Sequence, residues 1–596
     1  MSVIPTRRSV LRGAAAAAVP LAGGVAAGSA SASPSSHQGA DLGPNVLVFH
    51  PSMGDAAIQA QVDAVFAVQE SNQFGDERYA LAFMPGTYNV DINVGFSTHV
   101  LGLGDSPDDV LINGHVTVDA QWFGGNGTQD FWRAAENICI APPDGLERWA
   151  VAQAGPMRRV HVKGDMILMP SPPGNGWSSG GYLADSVVDG QVNSGSQQQW
   201  LSRNDTFGSW TGANWNMVFV GVQGAPAQSF PTPPMTTVDR TPVVREKPYL
   251  TVDRHGGYQV FVPALRTNST GTTWAHGRTA GRGIALSRFH VAKPGDSAQE
   301  INRALAEGRH LLFTPGIYDL SSAIEVTRPG TVVLGLGYTT LRSTHGNTLI
   351  EVADVSGVTV AGVLVEAASA HTPVLLRVGE GRSRIRHDAD PTVLYDVFAR
   401  IGGAVAGGAG VSLQIDSNDV ICDHLWLWRA DHGLDGTVGW AVNPADTGIV
   451  VNGDHVTAYG LFVEHYQKYE VLWNGDHGRT YFFQNENPYD VPTQSAWVHG
   501  STKGYAAYKV GDRVRDHLAW GLGSYCFFNL GADIYTDRTY EVPDTPGVVL
   551  TDLMTVCLNG AGGGGMLHCV NNSGDPVQNG FAVFTMKSYS NGVALR

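Results

Sequence analysis

Glu464 and Glu486 are the residues whose spacing points most directly to chemistry. They stand 22 residues apart, and so do the turn sequences Asn452-Gly453-Asp454-His455 and Asn474-Gly475-Asp476-His477 that precede them. One interval of that length makes one coil in a parallel stack of short strands. The two carboxylates then occupy the same place on consecutive coils, about 4.8 Å apart at the backbone. Carboxylates that close repel each other when both are ionised, so one of them holds its proton to higher pH. A carboxylic acid kept protonated near neutrality can protonate the bridging oxygen of an acetal. Matching Val420-Ile421-Cys422 to Val456-Thr457-Ala458 sets Trp428 in the same column. Together Trp428, Trp440, Trp473 and Tyr489 offer flat surfaces on which the apolar face of a sugar ring stacks. The alternative reading is a solvated polar ladder on the outside of a coil, with no chemistry.

Such a column needs many short strands and tight corners, and the chain is written that way. Runs such as Val358-Thr359-Val360, Val363-Leu364-Val365 and Val411-Ser412-Leu413-Gln414-Ile415 are separated by Asn-Gly, Gly-Asp or Asn-Asp turns, and glycine totals 74 of 596 residues. Long helices do not alternate with them, which argues against a doubly wound sheet. The pattern is also duplicated. Phe49-His50, Gly54-Asp55, Phe83-Met84-Pro85-Gly86 and Val100-Leu101-Gly102-Leu103-Gly104 return as Phe289-His290, Gly295-Asp296, Phe313-Thr314-Pro315-Gly316 and Val333-Leu334-Gly335-Leu336-Gly337. Each copy contains a helix start: Asp55 as a cap before Ile58, Val62, Val65 and Phe66, and the capping box Ser297-Ala298-Gln299-Glu300. The expected fold is all-β, with two tandem right-handed parallel β-helix domains of pectate-lyase type side by side. They span residues 45–230 and 288–596, joined by a linker, 231–287, in which Tyr258–Val262 reads as a strand.

Composition narrows the partners. Lys and Arg number 38 against 54 Asp and Glu, a formal charge of −16, and charged residues are 15% of the chain. That excludes a coiled coil or charge-rich disorder and argues against a nucleic-acid or anionic-membrane partner. Thr6-Arg7-Arg8-Ser9-Val10-Leu11-Arg12, an Ala/Gly/Val run and Ala30-Ser31-Ala32 read as a twin-arginine export signal over residues 1–33. Its removal takes away three arginines and leaves the mature protein near −19, secreted and free of the membrane. The five cysteines, Cys139, Cys422, Cys526, Cys557 and Cys569, form no CxxC motif. Their odd number leaves at least one thiol, and Cys557 and Cys569 are the pair the sequence offers for a bridge.

Three further patterns carry less. Gly176-Trp177-Ser178-Ser179-Gly180 fits a nucleophile elbow, but a strand-like Tyr182–Val188 follows where a helix is required. His424, His432, His455 and His477 each follow an Asp, yet two recur at coil turns and no HExxH is present, so turn chemistry explains them and no catalytic metal is expected. Gly102-Leu103-Gly104 lacks the third glycine and helix of a dinucleotide site, and its echo at Gly335-Leu336-Gly337 marks it as coil structure.

Gly460–His465, Tyr469–Gly475 and Arg479–Asp490 resemble the glycoside hydrolase family 55 β-1,3-glucanases, or laminarinases, as do Ser196-Gln197-Gln198-Gln199-Trp200 and Trp215–Phe219. The resemblance runs from about Val46 to the C-terminus. It implies paired β-helix domains with a cleft between them, and hydrolysis with inversion. It further implies that Glu486, in Gln-x-Glu-x-Pro-Tyr, is the general acid, that Glu464 belongs to a supporting proton network, and that a first-half Gln positions the attacking water. Gln197, Gln198 and Gln199 are the candidates, and alternation along a strand favours Gln197 and Gln199, which share a face. Trp200 joins Trp428, Trp440, Trp473 and Tyr489 as a substrate-binding aromatic. The family also uses a Ser on the coil after the glutamines, where this chain reads Met217-Val218-Phe219-Val220-Gly221. An inverting hydrolase separates its acid from the water's partner by roughly 6.5–9.5 Å. Two glutamates on neighbouring coils are closer than that, so the water's partner comes from elsewhere. The expectation is a secreted, monomeric enzyme that cleaves neutral β-1,3-glucan from chain ends without a cofactor. The rivals are a Ca²⁺-dependent polysaccharide lyase, whose acidic polymers a chain at −19 repels, and a non-catalytic glycan-binding β-helix protein.

Overall fold

The structure, a computed structural model, describes residues 41–596 except 532 and 559–562. The expected export signal, residues 1–33, lies outside the described residues. Among the described residues the chain is all-β with two α-helices, Asp55–Gln69 and Ala298–Ala306. A parallel sheet in the first half runs in chain order from Val46–Phe49 to Met235–Val238. In the second half the backbone shuttles between two sheets. The longer contains Val393–Ile401, Ile421–Arg429, Thr457–Glu464, Gly478–Glu486 and His517–Cys526 as successive neighbours. The shorter holds a later strand from each circuit: Ala409–Ile415, Ala445–Val451, Val471–Trp473, Tyr508–Val510 and Tyr540–Glu541. Each circuit adds one strand to each sheet, which is the coiled logic expected from the turn spacing.

Burial on both faces explains why these strands are so apolar. All nine residues of Ile421–Arg429 are buried. One face, with Cys422, Leu425 and Leu427, looks into the coil toward Leu461, Val463 and Phe483. The other, with Trp426 and Trp428, packs outward with Tyr459 and Phe462 against Phe131, Trp132, Tyr182 and Leu201 of the first half. Stacked turns hold the register. Asn474 Nδ2 donates to Asn452 Oδ1 at 2.9 Å, and the Asp476 amide to Asp454 Oδ1 at 2.7 Å. The corner glycines are forced by close approach: a Cβ on Gly475 would lie 1.7 Å from the Gly453 carbonyl oxygen.

Trp428 pairs with Glu464, and Glu464 with Glu486, as the spacing required. The column continues to Tyr525. The coils are unequal, however. The step from Glu464 to Glu486 takes 22 residues, whereas Trp428 to Glu464 takes 36 and Glu486 to Tyr525 takes 39. Part of the excess lies in segments 430–444 and 487–507, which leave the strands at the ends where the glutamates sit.

Several local expectations are corrected. Gly54, not Asp55, caps the first helix; Asp55 is its first residue, and its carboxylate takes the backbone N–H and side-chain amide of Asn89 at 3.1 and 2.7 Å. Ser297 and Glu300 do form the second helix's capping box. The segment between the halves is more ordered than a linker. Tyr258–Pro263 is flanked by antiparallel partners Tyr249–Val252 and Gly281–Ala285, because Val260 and Val262 bury against Leu250 and Val252. All five cysteines are buried thiols, and Cys557 faces Cys526 across the ladder rather than bridging to Cys569.

Buried charge joins the halves. Arg158 binds Asp396 and Asp423 at 2.8 and 3.1 Å, Arg203 binds Asp423 and Glu246 at 2.9 and 2.6 Å, and Lys247 binds Glu136 and Asp396 at 2.6 and 3.2 Å. These cations hold Asp396 well below the usual carboxylate range and Glu136 at about 2, against the desolvation that raises both.

Candidate active site

The two glutamates end their strands in a pocket between the halves. Its walls are Phe131 and Gln153 from the first half and Trp428, Asp431, Glu464 and Glu486 from the second, among others, and its cavity volume is about 20 Å³. Glu464 is 2% and Glu486 3% exposed, so both carboxylates are nearly dry. Glu464 accepts from Gln153 Nε2 and Trp426 Nε1, both at 2.9 Å. Desolvation first, then the charge of Glu486, push the Glu464 carboxyl well above its ordinary range despite those donors. Glu464 therefore binds a proton tightly. The Tyr489 hydroxyl donates to Glu486 Oε2. His465 Nε2 lies 3.7 Å from that same oxygen and 3.7 Å from Asp431 Oδ1.

The first-half contribution differs from the one the sequence suggested. Gln197 is fully buried, with its Nε2 spent on the Val151 and Leu168 carbonyls at 2.9 and 2.8 Å. Gln199 faces the second half but bonds Tyr525, whose hydroxyl donates to its Oε1 at 2.8 Å, one coil beyond the carboxylates. Gln153 is the glutamine that reaches the pair. Its side chain also accepts from Ser179 Oγ at 3.2 Å, and its own carbonyl oxygen is held by His424 Nε2 at 2.8 Å. Ser179 lies within the Gly176–Gly180 pattern, in an irregular stretch just ahead of the Tyr182–Ala184 strand, and Gln484 Nε2 ties its carbonyl at 2.6 Å. The sequence signal for Ser179 existed but pointed to the wrong chemistry. Gln153 sits in Val151-Ala152-Gln153-Ala154, and nothing in that run marks it.

The aromatic set divides. Trp428 borders the pocket but is 1% exposed, covered by Trp426 stacked at 4.9 Å and Phe74 at 6.3 Å, so it offers no open face for a sugar ring. Tyr489 is beside it through Glu486. Trp440 is half-buried on the 430–444 segment and lies against Arg429 at 5.7 Å, next to the pocket rather than in it. Two assignments are corrected. Trp473 points into the second-half coil among Tyr508 and His517, and Trp200 fills the first-half core; both are 0% exposed and meet no solvent. Alternation along a strand decides this, because neighbouring positions on one rung face opposite ways.

The Asp-His pairs are fixtures of the scaffold. Both ring nitrogens of His424 are engaged, by Asp396 at 2.8 Å and the Gln153 carbonyl, leaving no lone pair for a metal. His455 and His477 stack at 4.4 Å in left-handed turn positions. The one group among the described residues with metal-like spacing, Asp108, Cys139 and His161, has its imidazole bonded on both sides by Asp108 and Asp189.

Known proteins resemble this chain along most of its length. A family model described as the LAM55 pectate lyase-like domain matches residues 289–486. An exo-β-1,3-glucanase of Streptomyces sp. (strain SirexAA-E / ActE) is 54% identical over 540 residues, 90% of this chain and 88% of that protein. A glucan 1,3-β-glucosidase of Cochliobolus carbonum is 23% identical over 275 residues, 38% of this chain and 34% of that one. The solved structure of sacteLam55A from Streptomyces sp. SirexAA-E matches with a TM-score of 0.89 at 52% identity, covering 92% of this chain and 99% of that chain. A glutamate-to-alanine variant of sacteLam55A, solved in complex with glucose, matches with the same TM-score, 0.89.

Proposed function

The chain belongs to the glycoside hydrolase family 55 β-1,3-glucanases, and from that premise we propose that it hydrolyses β-1,3-glucan from chain ends with inversion, Glu486 acting as the general acid. The observation that carries this reading is the Glu464–Glu486 pair, buried beside Trp428 and reached from the opposite half by Gln153. Tyr489 fixes Glu486 Oε2 as an acceptor, which assigns the acidic proton to Oε1. That proton passes to the glycosidic oxygen as the C1–O bond breaks, the electron pair leaving with the oxygen. Water attacks C1 from the first-half side, oriented by Gln153 and Ser179. Its hydroxyl becomes the new anomeric OH, and its proton is carried toward the carboxylate cluster along the hydrogen bonds that run from Ser179 through Gln153 to Glu464. Glu464, with its raised proton affinity, is the group in that cluster able to hold a proton and return one to Glu486.

We read the two strand ladders as right-handed β-helix domains lying side by side, with segment 231–287 as an ordered strap between them. Residues 1–33 we assign to twin-arginine export, making the mature enzyme a secreted monomer whose neutral substrate suits its acidic surface.

The test is laminarin hydrolysis by wild type and Glu486→Gln. The wild type is expected to release reducing sugar, and the variant to lose this by roughly 10³-fold with an unchanged Tm. Near-normal release by the variant refutes the assigned acid. Unsaturated, Ca²⁺-dependent products from uronic-acid polymers would indicate a lyase instead, and laminarin binding without turnover a binding protein.

A further inference from the structure

The Thr457–Glu464 strand does not simply continue past its glutamate. His465 adopts φ 69°, in the left-handed region, and its backbone N–H donates to the Glu486 carbonyl at 2.8 Å. In an extended strand Glu464 and His465 would point to opposite faces. The turn brings both to the pocket wall. His465 Nδ1 lies 3.1 Å from the Asn487 carbonyl oxygen. A carbonyl only accepts, so Nδ1 carries a hydrogen and Nε2 is the nitrogen left facing Glu486 and Asp431. The groups around the ring are Glu464 from its own strand, Glu486 from the next, Tyr489 from the segment beyond, and Asp431 and His432 from segment 430–444. Of His465, Arg429 touches the carbonyl, at 3.3 Å, and its other bonds go to Asp490, Asn443 and Gly439. Nε2 thus faces two acceptor oxygens, Asp431 Oδ1 and Glu486 Oε2, each at 3.7 Å, and a proton on it is attracted to both.

We propose that His465 is a positioning residue for the acid, holding positive charge beside the carboxylate that forms as Glu486 gives up its proton. This rests on Glu486 being the general acid. During bond cleavage Glu486 goes from neutral to −1 while the proton moves to the departing oxygen. A fixed cation beside it interacts more strongly with the transition state than with the ground state, and that difference lowers the barrier. A leaving group that departs without a proton draws nothing from it.

The experiment compares wild type, His465→Asn and Glu486→Gln on laminarin and on β-glucosyl fluoride, whose fluoride leaves without protonation. Asn tolerates the left-handed backbone. His465→Gln, uncharged and able to donate to Asn487, is measured alongside in case the first variant folds poorly. Both His465 variants are expected to lose roughly 10–100-fold in kcat/KM on laminarin and to stay within a few-fold of wild type on the fluoride. Equal losses on both substrates, or none on laminarin, would overturn the proposal. If Glu486→Gln keeps its laminarin activity, the acid assignment itself fails, and that outcome is distinguishable from a His465 failure alone.

Discussion

Glu464 and Glu486 are chemically identical, and their surroundings separate them. Glu464 has two neutral donors and a neighbouring negative charge in a dry wall, so it binds a proton tightly. Infrared spectra at pH 7 are expected to contain a protonated-carboxyl C=O band that is missing from Glu464→Gln. In Glu486→Gln, which removes the repelling charge, that band is expected to titrate away at lower pH. A spectrum unchanged by Glu464→Gln contradicts this distribution of protons. Gln153→Ala is expected to lower kcat on laminarin by roughly 10²-fold, the scale for losing one preorganised polar group, with a smaller change in KM; a change in KM alone would make Gln153 a sugar contact. The glutamate pair was legible because period and register are properties of the sequence. Gln153 was not, since an inter-half contact has no sequence interval to betray it, and the adjacent glutamines at 197–199 point instead to a rung where Gln197 donates to carbonyls and Gln199 accepts from Tyr525.

At the scale of elements, the pocket depends on what happens between strands. The 22-residue coil brings the carboxylates together, and the longer coils on either side carry Asp431, His432 and Tyr489 to them. Arg429 clasps the two excursions. It holds Asp490 with two bonds of 2.8 Å and donates to the Asn443 and His465 carbonyls at 2.8 and 3.3 Å. Arg429→Met is expected to cost roughly 3 kcal/mol, because it strands an acceptor-rich set in a buried place. The loss should appear in thermal unfolding, and laminarin kcat/KM should fall with it. Unchanged stability and activity would show that the segments hold their shape without the clasp. Strand positions were readable from β-branched runs and glycine corners. The segment before residue 288 reads as a linker because Pro and Thr are frequent there, yet its antiparallel strands bury Val260 and Val262 beside Leu250 and Val252.

For the whole molecule, the active site is a property of two halves pressed together, and the press is electrostatic as well as apolar. Arg158→Met leaves Asp396 and Asp423 short of a counter-charge and is expected to cost about 3–5 kcal/mol; unfolding at an unchanged denaturant midpoint would count against that role. Acid should act on the same joint. Asp396 and Glu136 have folded-state affinities for protons below their ordinary values, so their stabilising contribution is complete above those values and is lost as pH falls. For Glu136 that window runs from its ordinary value of 4.5 down to about 2. Stability is expected to drop steeply across it, and less steeply in Lys247→Met; identical acid profiles would remove the joint from the explanation. The duplicated Gly-Leu-Gly corners made two similar halves legible, but residues so far apart in sequence as Arg158 and Asp396 meet through tertiary packing alone. The proposed reaction divides the labour in the same way: the proton would come from the second half and the water from the first, on opposite sides of the sugar. The most direct check is ¹H NMR of the anomeric protons during the first minutes of laminarin hydrolysis, before mutarotation. α-Glucose is expected to appear first; β-glucose as the initial product would contradict delivery of water from the opposite half.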